Sequence, residues 1–241
     1  MARTILITGG AKRLGAALAV RLAGDGHGIA IHFRTSRAEA EKTLQVIRDA
    51  GGNAALFQNP LSNLADGERL VSEVIGQFGG LDTLINNAGI FVRKHFDEMT
   101  WDDWETGLSS TAGAAFIATR AALPSLRLSG RGRIINIGDS MSDRVGFADP
   151  AMSYYIGKMG VWMMTRTLAA AEARHKVTVN MVSPGVLEDS ICITPVAEMP
   201  MGRYGTYEDV LRPILFLLED ASGTLTGANL HVGGGWNIAP Q

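Results

Sequence analysis

Cysteine is almost absent from this 241-residue chain, and Cys192 is its only one. A single thiol forms no internal disulfide and cannot complete a structural zinc site alone. That excludes a disulfide-built scaffold, and a reducing, cytoplasmic setting is expected. Charge of one sign is lacking too: Lys and Arg number 22 against 24 Asp and Glu, a net charge of −2. Such a balance argues against a non-specific nucleic-acid binder, which needs a basic surplus. No apolar run approaches the roughly 18 residues of a membrane span, so no membrane association is expected. The apolar stretch Ile5-Leu6-Ile7 is too short for a signal peptide. The five histidines, His27, His32, His95, His175 and His231, show no metal-ligand spacing, and no metal is expected.

Glycine, by contrast, is plentiful at 29 residues without low complexity. That pattern suits tight turns and close backbone approach to a ligand. Short β-branched runs alternate with amphipathic runs of helix length. Strands are expected at 4–8, 28–33, 54–57, 84–87, 134–137, 177–182 and 230–232. Leu14, Ala17, Leu18 and Leu22 recur at helical spacing after the first strand. A polar helix is expected over about 37–50, and another around Leu64, Val71, Val74, Ile75 and Phe78. Asp102, Asp103 and Glu105 fit the solvated first turn of a helix. Alternation of this kind implies right-handed crossovers and a parallel sheet. The fold class is α/β: a single doubly wound domain over residues 1–241, with about seven parallel strands and helices on both faces. The stretch 188–207 has prolines, two methionines and no clear period. It reads as a flap over a site, with Cys192 a small buried hydrophobe within it.

The first strand runs into Thr8-Gly9-Gly10-Ala11-Lys12-Arg13-Leu14-Gly15 and then a helix. Glycines there let the backbone turn sharply and approach a pyrophosphate, whose charge a helix N-terminus favours. At the end of the second strand an NAD site usually carries an acid for the ribose 2′-hydroxyl. Here stand Arg34, Thr35 and Ser36 instead. A cation and two hydroxyls suit a 2′-phosphate, so NADPH is the expected cofactor, a solvated surface arginine being the bland alternative. Tyr154 and Lys158 stand four apart, on one helix face. An ammonium beside a phenol lowers its pKa and fits it for acid–base work. Tyr155 cannot take that place, because Met159 stands four residues on.

With Asn86-Asn87-Ala88-Gly89, Ile134-Ile135-Asn136-Ile137, Asn180-x-x-x-Pro184-Gly185, Thr226-Gly227 and Gly233-Gly234, these pieces follow one order. Over nearly its whole length the chain resembles the short-chain dehydrogenase/reductase family. The resemblance implies a Rossmann fold, a nicotinamide cofactor, a small-molecule substrate and a homotetramer. It implies Tyr154 as proton donor, and Lys158 both on the nicotinamide ribose and tuning Tyr154. It places Gly9, Lys12, Arg13, Leu14, Gly15, Leu61, Asn87, Ala88, Gly89, Tyr154, Pro184, Gly185 and Leu187 along the cofactor.

Departures from the family pattern narrow the expectation. The middle glycine of the phosphate loop is Arg13, and the serine position three residues after Asn136 is Asp139, with Ser140 beside it. Together with the run from His32 to Ala40, these look like the pteridine reductases. That likeness implies NADPH-dependent reduction of a pterin or folate, with Phe91 stacking on the substrate ring and Ser140 near it. The family's acid near the adenine is replaced within Gln58-Asn59-Pro60-Leu61, and its fourth-helix asparagine aligns with Thr111. Two alternatives remain: reduction of a carbonyl such as a 3-oxoacyl thioester, and a cofactor-binding sensor with weak catalysis.

Overall fold

Successive residues of a strand face opposite sides of a sheet, and the first strand supplies both cores. Ile5 and Ile7 enter one apolar cluster, and Leu6 enters the other. The computed structural model describes residues 2–146, 149–191 and 194–236; Cys192 lies outside them. Seven strands form one parallel sheet: β1 (Thr4–Thr8), β2 (Gly28–Phe33), β3 (Asn53–Gln58), β4 (Thr83–Asn86), β5 (Arg133–Ile137), β6 (Thr178–Pro184) and β7 (Asn229–Val232). Their order is β3-β2-β1-β4-β5-β6-β7. This is the doubly wound, Rossmann-like sheet that the alternation predicts. Strand ends move by a residue or two, because ladder pairing and not apolarity sets them.

Helices α1 (Arg13–Gly24), α2 (Arg37–Asp49) and α7 (Tyr207–Leu218) cover one face, through Leu18, Ile47 and Ile214. On the other face pack α3 (Leu64–Phe78), α5 (Ala114–Leu128) and α6 (Met152–Glu172), through Val74, Ala118 and Ala169. The short helix α4 (Trp101–Leu108) opens on a reciprocal cap: Asp103 N–H donates to Thr100 Oγ1 at 3.2 Å, and Thr100 N–H to Asp103 Oδ2 at 3.1 Å. Asp102 and Asp103 occupy its first turn as expected, with Glu105 just beyond. One π-helical turn, Ser109–Gly113, joins α4 to α5. Among the described residues no helix is long and apolar enough to cross a membrane.

The chain reverses its winding between β1 and β4, which pair Thr8 with Asn86. In open α/β sheets, ligands bind outside the carboxyl ends of the strands at this switch point. The ends of β1, β4, β5 and β6 carry Gly9, Asn87, Asp139 and Gly185 respectively.

Candidate active site

The loop after β1 is shaped by what its glycines exclude. Gly9 has φ +63°, a left-handed backbone that side chains rarely adopt, and a Cβ there would meet Ala88 Cα at 3.1 Å. A Cβ on Gly15 would run into the Gly9 carbonyl and lie 2.8 Å from Asn87 Nδ2. Asn87 closes the loop, its amide donating to the carbonyls of Thr8 (3.1 Å) and Gly9 (2.9 Å). Thr8 Oγ1 accepts the N–H groups of Asn87 and Ala88 at 3.0 and 3.1 Å. A Cβ on Gly185 would lie 2.7 Å from Gly233 Cα, so two chain segments touch there. This bare-backbone cradle at a helix N-terminus fits a dinucleotide's pyrophosphate.

Arg13 keeps the backbone that the missing family glycine would give. Its φ is +54°, a strained conformation for a side-chain-bearing residue, costing of order 1–3 kcal/mol. The side chain is held in place: Nε donates to Asp189 Oδ2 at 2.9 Å and Nη2 to the Asp189 carbonyl. The Tyr207 hydroxyl donates to the same carboxylate. Arg13 therefore ties the phosphate loop to the segment after β6. Lys12 is exposed in extended backbone just before α1.

Three of the residues expected at the cofactor turn their side chains away. Leu14 and Leu187 are buried in one apolar core and Leu61 in the other. Leu61 adopts φ +49°, its N–H donating to Asn59 Oδ1 at 2.9 Å. Pro184 ends β6 and is buried.

At the end of β2, Arg34 and Thr35 are exposed and Ser36 is half-buried. The Arg34 carbonyl accepts from Gln58 Nε2 at 3.1 Å. Arg37, which the sequence reading missed, joins this corner. It lies 5.5 Å from the Phe33 ring centroid and donates to Gln58 Oε1 at 2.6 Å. His32, which shows no metal-ligand spacing, braces the loop from below. Its Nδ1 accepts from Gly9 N–H at 3.2 Å, and its Nε2 donates to the Asn59 carbonyl at 2.8 Å. Burial lowers its pKa to about 4, so the ring stays neutral and keeps both bonds.

A cavity of about 590 Å³ opens beyond this cradle, and Gly89, Phe91, Asp139, Ser140 and Tyr154 share its wall. Tyr154 lies in the first turn of α6 with Lys158 one turn on. Lys158 is buried; its Nζ donates to the Ile137 carbonyl at 2.7 Å and sits 5.5 Å from the Tyr154 ring centroid. Burial lowers the Lys158 pKa to about 8, against the Asp139 charge, which raises it. The expectation for Tyr154 is overturned. Its pKa rises well above the usual tyrosine value, chiefly through burial and then through the Asp139 charge. A phenol so placed holds its proton until a substrate takes it.

Asp139 follows β5 and is itself shifted up by burial, against the Met141 N–H bond and the Lys158 charge. Its Oδ1 accepts from Met141 N–H at 3.0 Å and from Ser140 Oγ at 3.4 Å. Asp139 N–H donates to Ser142 Oγ at 2.7 Å. Phe91 packs edge-on against Tyr154, ring centroids 5.0 Å apart. Thr111 brings its methyl rather than its hydroxyl toward the pair: a Cβ on Gly89 would meet Thr111 Cγ2 at 3.3 Å and Lys158 Nζ and Tyr154 Cε2 at 3.8 Å. Its hydroxyl donates back to the Gly107 carbonyl of α4 at 2.6 Å. Its partner in space is Gly157, where a Cβ would collide with Thr111 Oγ1. That glycine lets α6 press against the π turn, a need that the Tyr-Tyr-Ile-Gly-Lys run did not reveal. Ser190, Ile191 and Thr194 reach the cavity from the segment after β6, and Tyr204 OH donates to the Thr194 carbonyl at 2.8 Å.

The glycine cradle, the β1/β4 crevice and the Tyr154–Lys158 pair together define a nicotinamide-dependent oxidoreductase. A family model described as enoyl-(acyl carrier protein) reductase matches residues 9–237, and the chain belongs to the short-chain dehydrogenase/reductase family. It is similar to acetoacetyl-CoA reductase of Allochromatium vinosum, with 34% identity over 98% of both chains. It is 29% identical to the 3-oxoacyl-(acyl-carrier-protein) reductase of Staphylococcus aureus strain Mu50, again over 98% of both. A solved short-chain dehydrogenase/reductase from Serratia marcescens superposes with a TM-score of 0.88 at 30% identity, covering 97% of each chain. None of these three names a pterin, so the pteridine-reductase likeness rests on this chain's own residues.

The pH dependence follows from the pair. The free protein's kcat/KM is expected to fall as pH rises through about 8, where Lys158 loses its proton. Lys158 does not itself promote unfolding there. Between about 8 and 10.5 the unfolded chain holds a proton that folded Lys158 has released, so this group favours folding more as pH rises. Lys158→Arg, which stays charged, is expected to abolish the limb in whatever activity it retains. A limb surviving in that variant would assign it to Tyr154 instead.

Proposed function

We propose that this protein is an NADPH-dependent reductase of a C=N bond in a pterin-like ring, with Tyr154 and Asp139 supplying the proton. One observation carries the reading: a carboxyl with a raised pKa, Asp139, stands beside Tyr154 in the position where the family pattern has a serine. A carboxylate there repels a developing alkoxide. A protonated carboxyl instead offers the proton that a ring nitrogen must gain. Burial raises the Asp139 carboxyl, and the Asp139 charge in turn disfavours a Tyr154 phenolate, so the site holds a proton that a basic ring nitrogen can take. The donor to the substrate is Tyr154 O–H or Asp139 directly, and Lys158 steadies the phenolate left behind. Phe91 in the cavity wall supplies an aromatic face for a flat ring, worth ~0.5–1.5 kcal/mol beyond burial.

Gly9, Gly15, Asn87 and Gly185 would hold the dinucleotide, with Arg34, Thr35 and Ser36 at its 2′-phosphate and Lys158 at the nicotinamide ribose. When bound, the cofactor supplies the hydride. The segment 188–207 would cover the substrate. The exposed apolar side chains Trp101, Phe116 and Met163 on α4, α5 and α6 support a homo-oligomer. A second reading, reduction of a 3-oxoacyl thioester, is favoured by the activities that the related proteins' names give, with Ser140 in the cavity wall as the neutral donor. NADPH oxidation measured over dihydropterins, 3-oxoacyl thioesters and simple ketones separates the two. Dihydropterins are expected to react faster; turnover of none of them would leave a binding protein without catalysis.

NADPH is expected to be preferred to NADH. A charge-assisted hydrogen bond contributes ~1.5–3 kcal/mol, so Arg34→Ala should reduce the ratio of NADH to NADPH dissociation constants by about 10- to 150-fold. Equal affinity of the unmutated protein for both nucleotides would contradict the assignment.

A further inference from the structure

The edge strand β7 reads Asn229-Leu230-His231-Val232, polar and apolar residues in alternation. Leu230 and Val232 pack on the core that α1 and α7 cover, so Asn229 and His231 face the other side of the sheet. Both reach one carboxylate, Asp143. His231 Nε2–H donates to Asp143 Oδ2 at 2.7 Å, and Asn229 Nδ2 donates to the same oxygen at 3.1 Å. The side chains of His231 and Asp143 are only 21% and 23% exposed, so water competes weakly for the bond. Asn229 is aimed by its other end, where Oδ1 accepts from the buried Ser183 Oγ at 2.7 Å. Ser183 is also where the chain leaving β5 rests, since a Cβ on Gly138 would collide with its hydroxyl.

Asp143 ends a tight turn that begins at Asp139. Ser142 N–H donates to the Asp139 carbonyl at 2.9 Å, and Asp139 N–H to Ser142 Oγ at 2.7 Å. One end of the turn is fixed by Gly138 against Ser183, and the other by Asp143 on β7. Arg144 Nε lies 3.6 Å from Asp143 Oδ1, while Lys158 and Tyr154 of α6 are the groups whose charges couple to Asp139.

We propose that His231 and Asn229 are positioning residues for the reaction: by clamping Asp143 they hold the turn, and so the Asp139 carboxyl, in the cavity wall beside Tyr154. They act through the turn and not on the substrate. The proposal rests on the reading of Asp139 as a proton source and says what keeps it one. A carboxyl held from water favours its neutral form, whereas a turn free to swing would return it to solvent as an ordinary carboxylate.

The test reads the Asp139 carboxyl in the substrate-free protein. Its infrared carbonyl stretch is the protonated-carboxyl band that Asp139→Asn removes, followed as a function of pH. In the unmutated protein the band is expected to persist to higher pH than that of an ordinary aspartate. Asp143→Ala drops both bonds and should raise the Asp139 acid constant about tenfold or more, so that the band disappears at lower pH. His231→Ala should move it the same way. Asp143→Asn removes the charge but keeps an oxygen for His231 Nε2–H, and the band should stay near its unmutated position. If Asp143→Asn moves the band as far as Asp143→Ala does, the Asp143 charge acts through space and the clamp is overturned. A band unmoved by both Asp143→Ala and His231→Ala overturns the clamp and leaves Asp139 as the acid. A band that titrates like an ordinary aspartate in the unmutated protein removes the reading of Asp139 as a proton source, and the clamp with it. Should Asp143→Ala fail to fold, His231→Ala and Asn229→Ala carry the same comparison.

Discussion

Tyr154→Phe is expected to lower kcat by roughly 10²–10⁴ with NADPH binding nearly intact. The substitution keeps the ring, and so its edge-on contact with Phe91 at 5.0 Å, but removes the only proton that the ring can give. The nucleotide cradle lies elsewhere, in Gly9, Gly15 and Asn87, and does not feel the change. Lys158→Ala should damage both quantities, because the buried ammonium bonded to the Ile137 carbonyl is lost along with the ribose contact proposed for it. Steady-state kinetics beside nucleotide titration separates the two effects. A Tyr154→Phe protein as active as the unmutated one would show that the proton comes from another group, with Asp139 the nearest candidate.

Much of this site was legible in the sequence because it is local. Tyr154 and Lys158 are one helical turn apart, and a helix fixes that distance wherever it packs. Gly9 and Gly15 flank a strand–helix turn, and the left-handed backbone at Gly9 and the Gly15 approach to the Gly9 carbonyl are local demands. The strands showed through short apolar runs, since a sheet covered on both faces takes mostly apolar residues into its interior. What was hidden depends on distant contacts. The upward shift of Tyr154 arises from burial and from Asp139, fifteen positions earlier, and no spacing rule reports it. Arg13 meets Asp189 across 176 positions, which is why a residue in place of a glycine read only as a departure. Leu14, Leu61 and Leu187 sat in motif positions, yet their side chains serve the cores. Gly157 carries no sequence signal of its own, since the reason for it, Thr111, lies 46 positions away.

Asp139→Ser is expected to lower kcat/KM on a dihydropterin by about 10²-fold and to raise it on a 3-oxoacyl thioester. Serine removes a proton source and supplies a neutral donor to a developing alkoxide. It also removes the charge that raises the Tyr154 pKa, so the phenol of the variant should titrate lower than in the unmutated protein. A difference-absorbance titration of the tyrosinate reads that shift independently of any substrate. Unchanged substrate preference in the variant would leave Asp139 as a structural bond to Met141 and would move the donor role to Ser140.

Whether this site is built to protonate a ring nitrogen or to steady an alkoxide is decided most directly in the unmutated protein. The measurement is the ratio of kcat/KM for a dihydropterin to that for a 3-oxoacyl thioester, with NADPH at neutral pH. A buried carboxyl beside a tyrosine that holds its proton predicts a ratio well above one. A ratio below one would contradict the account.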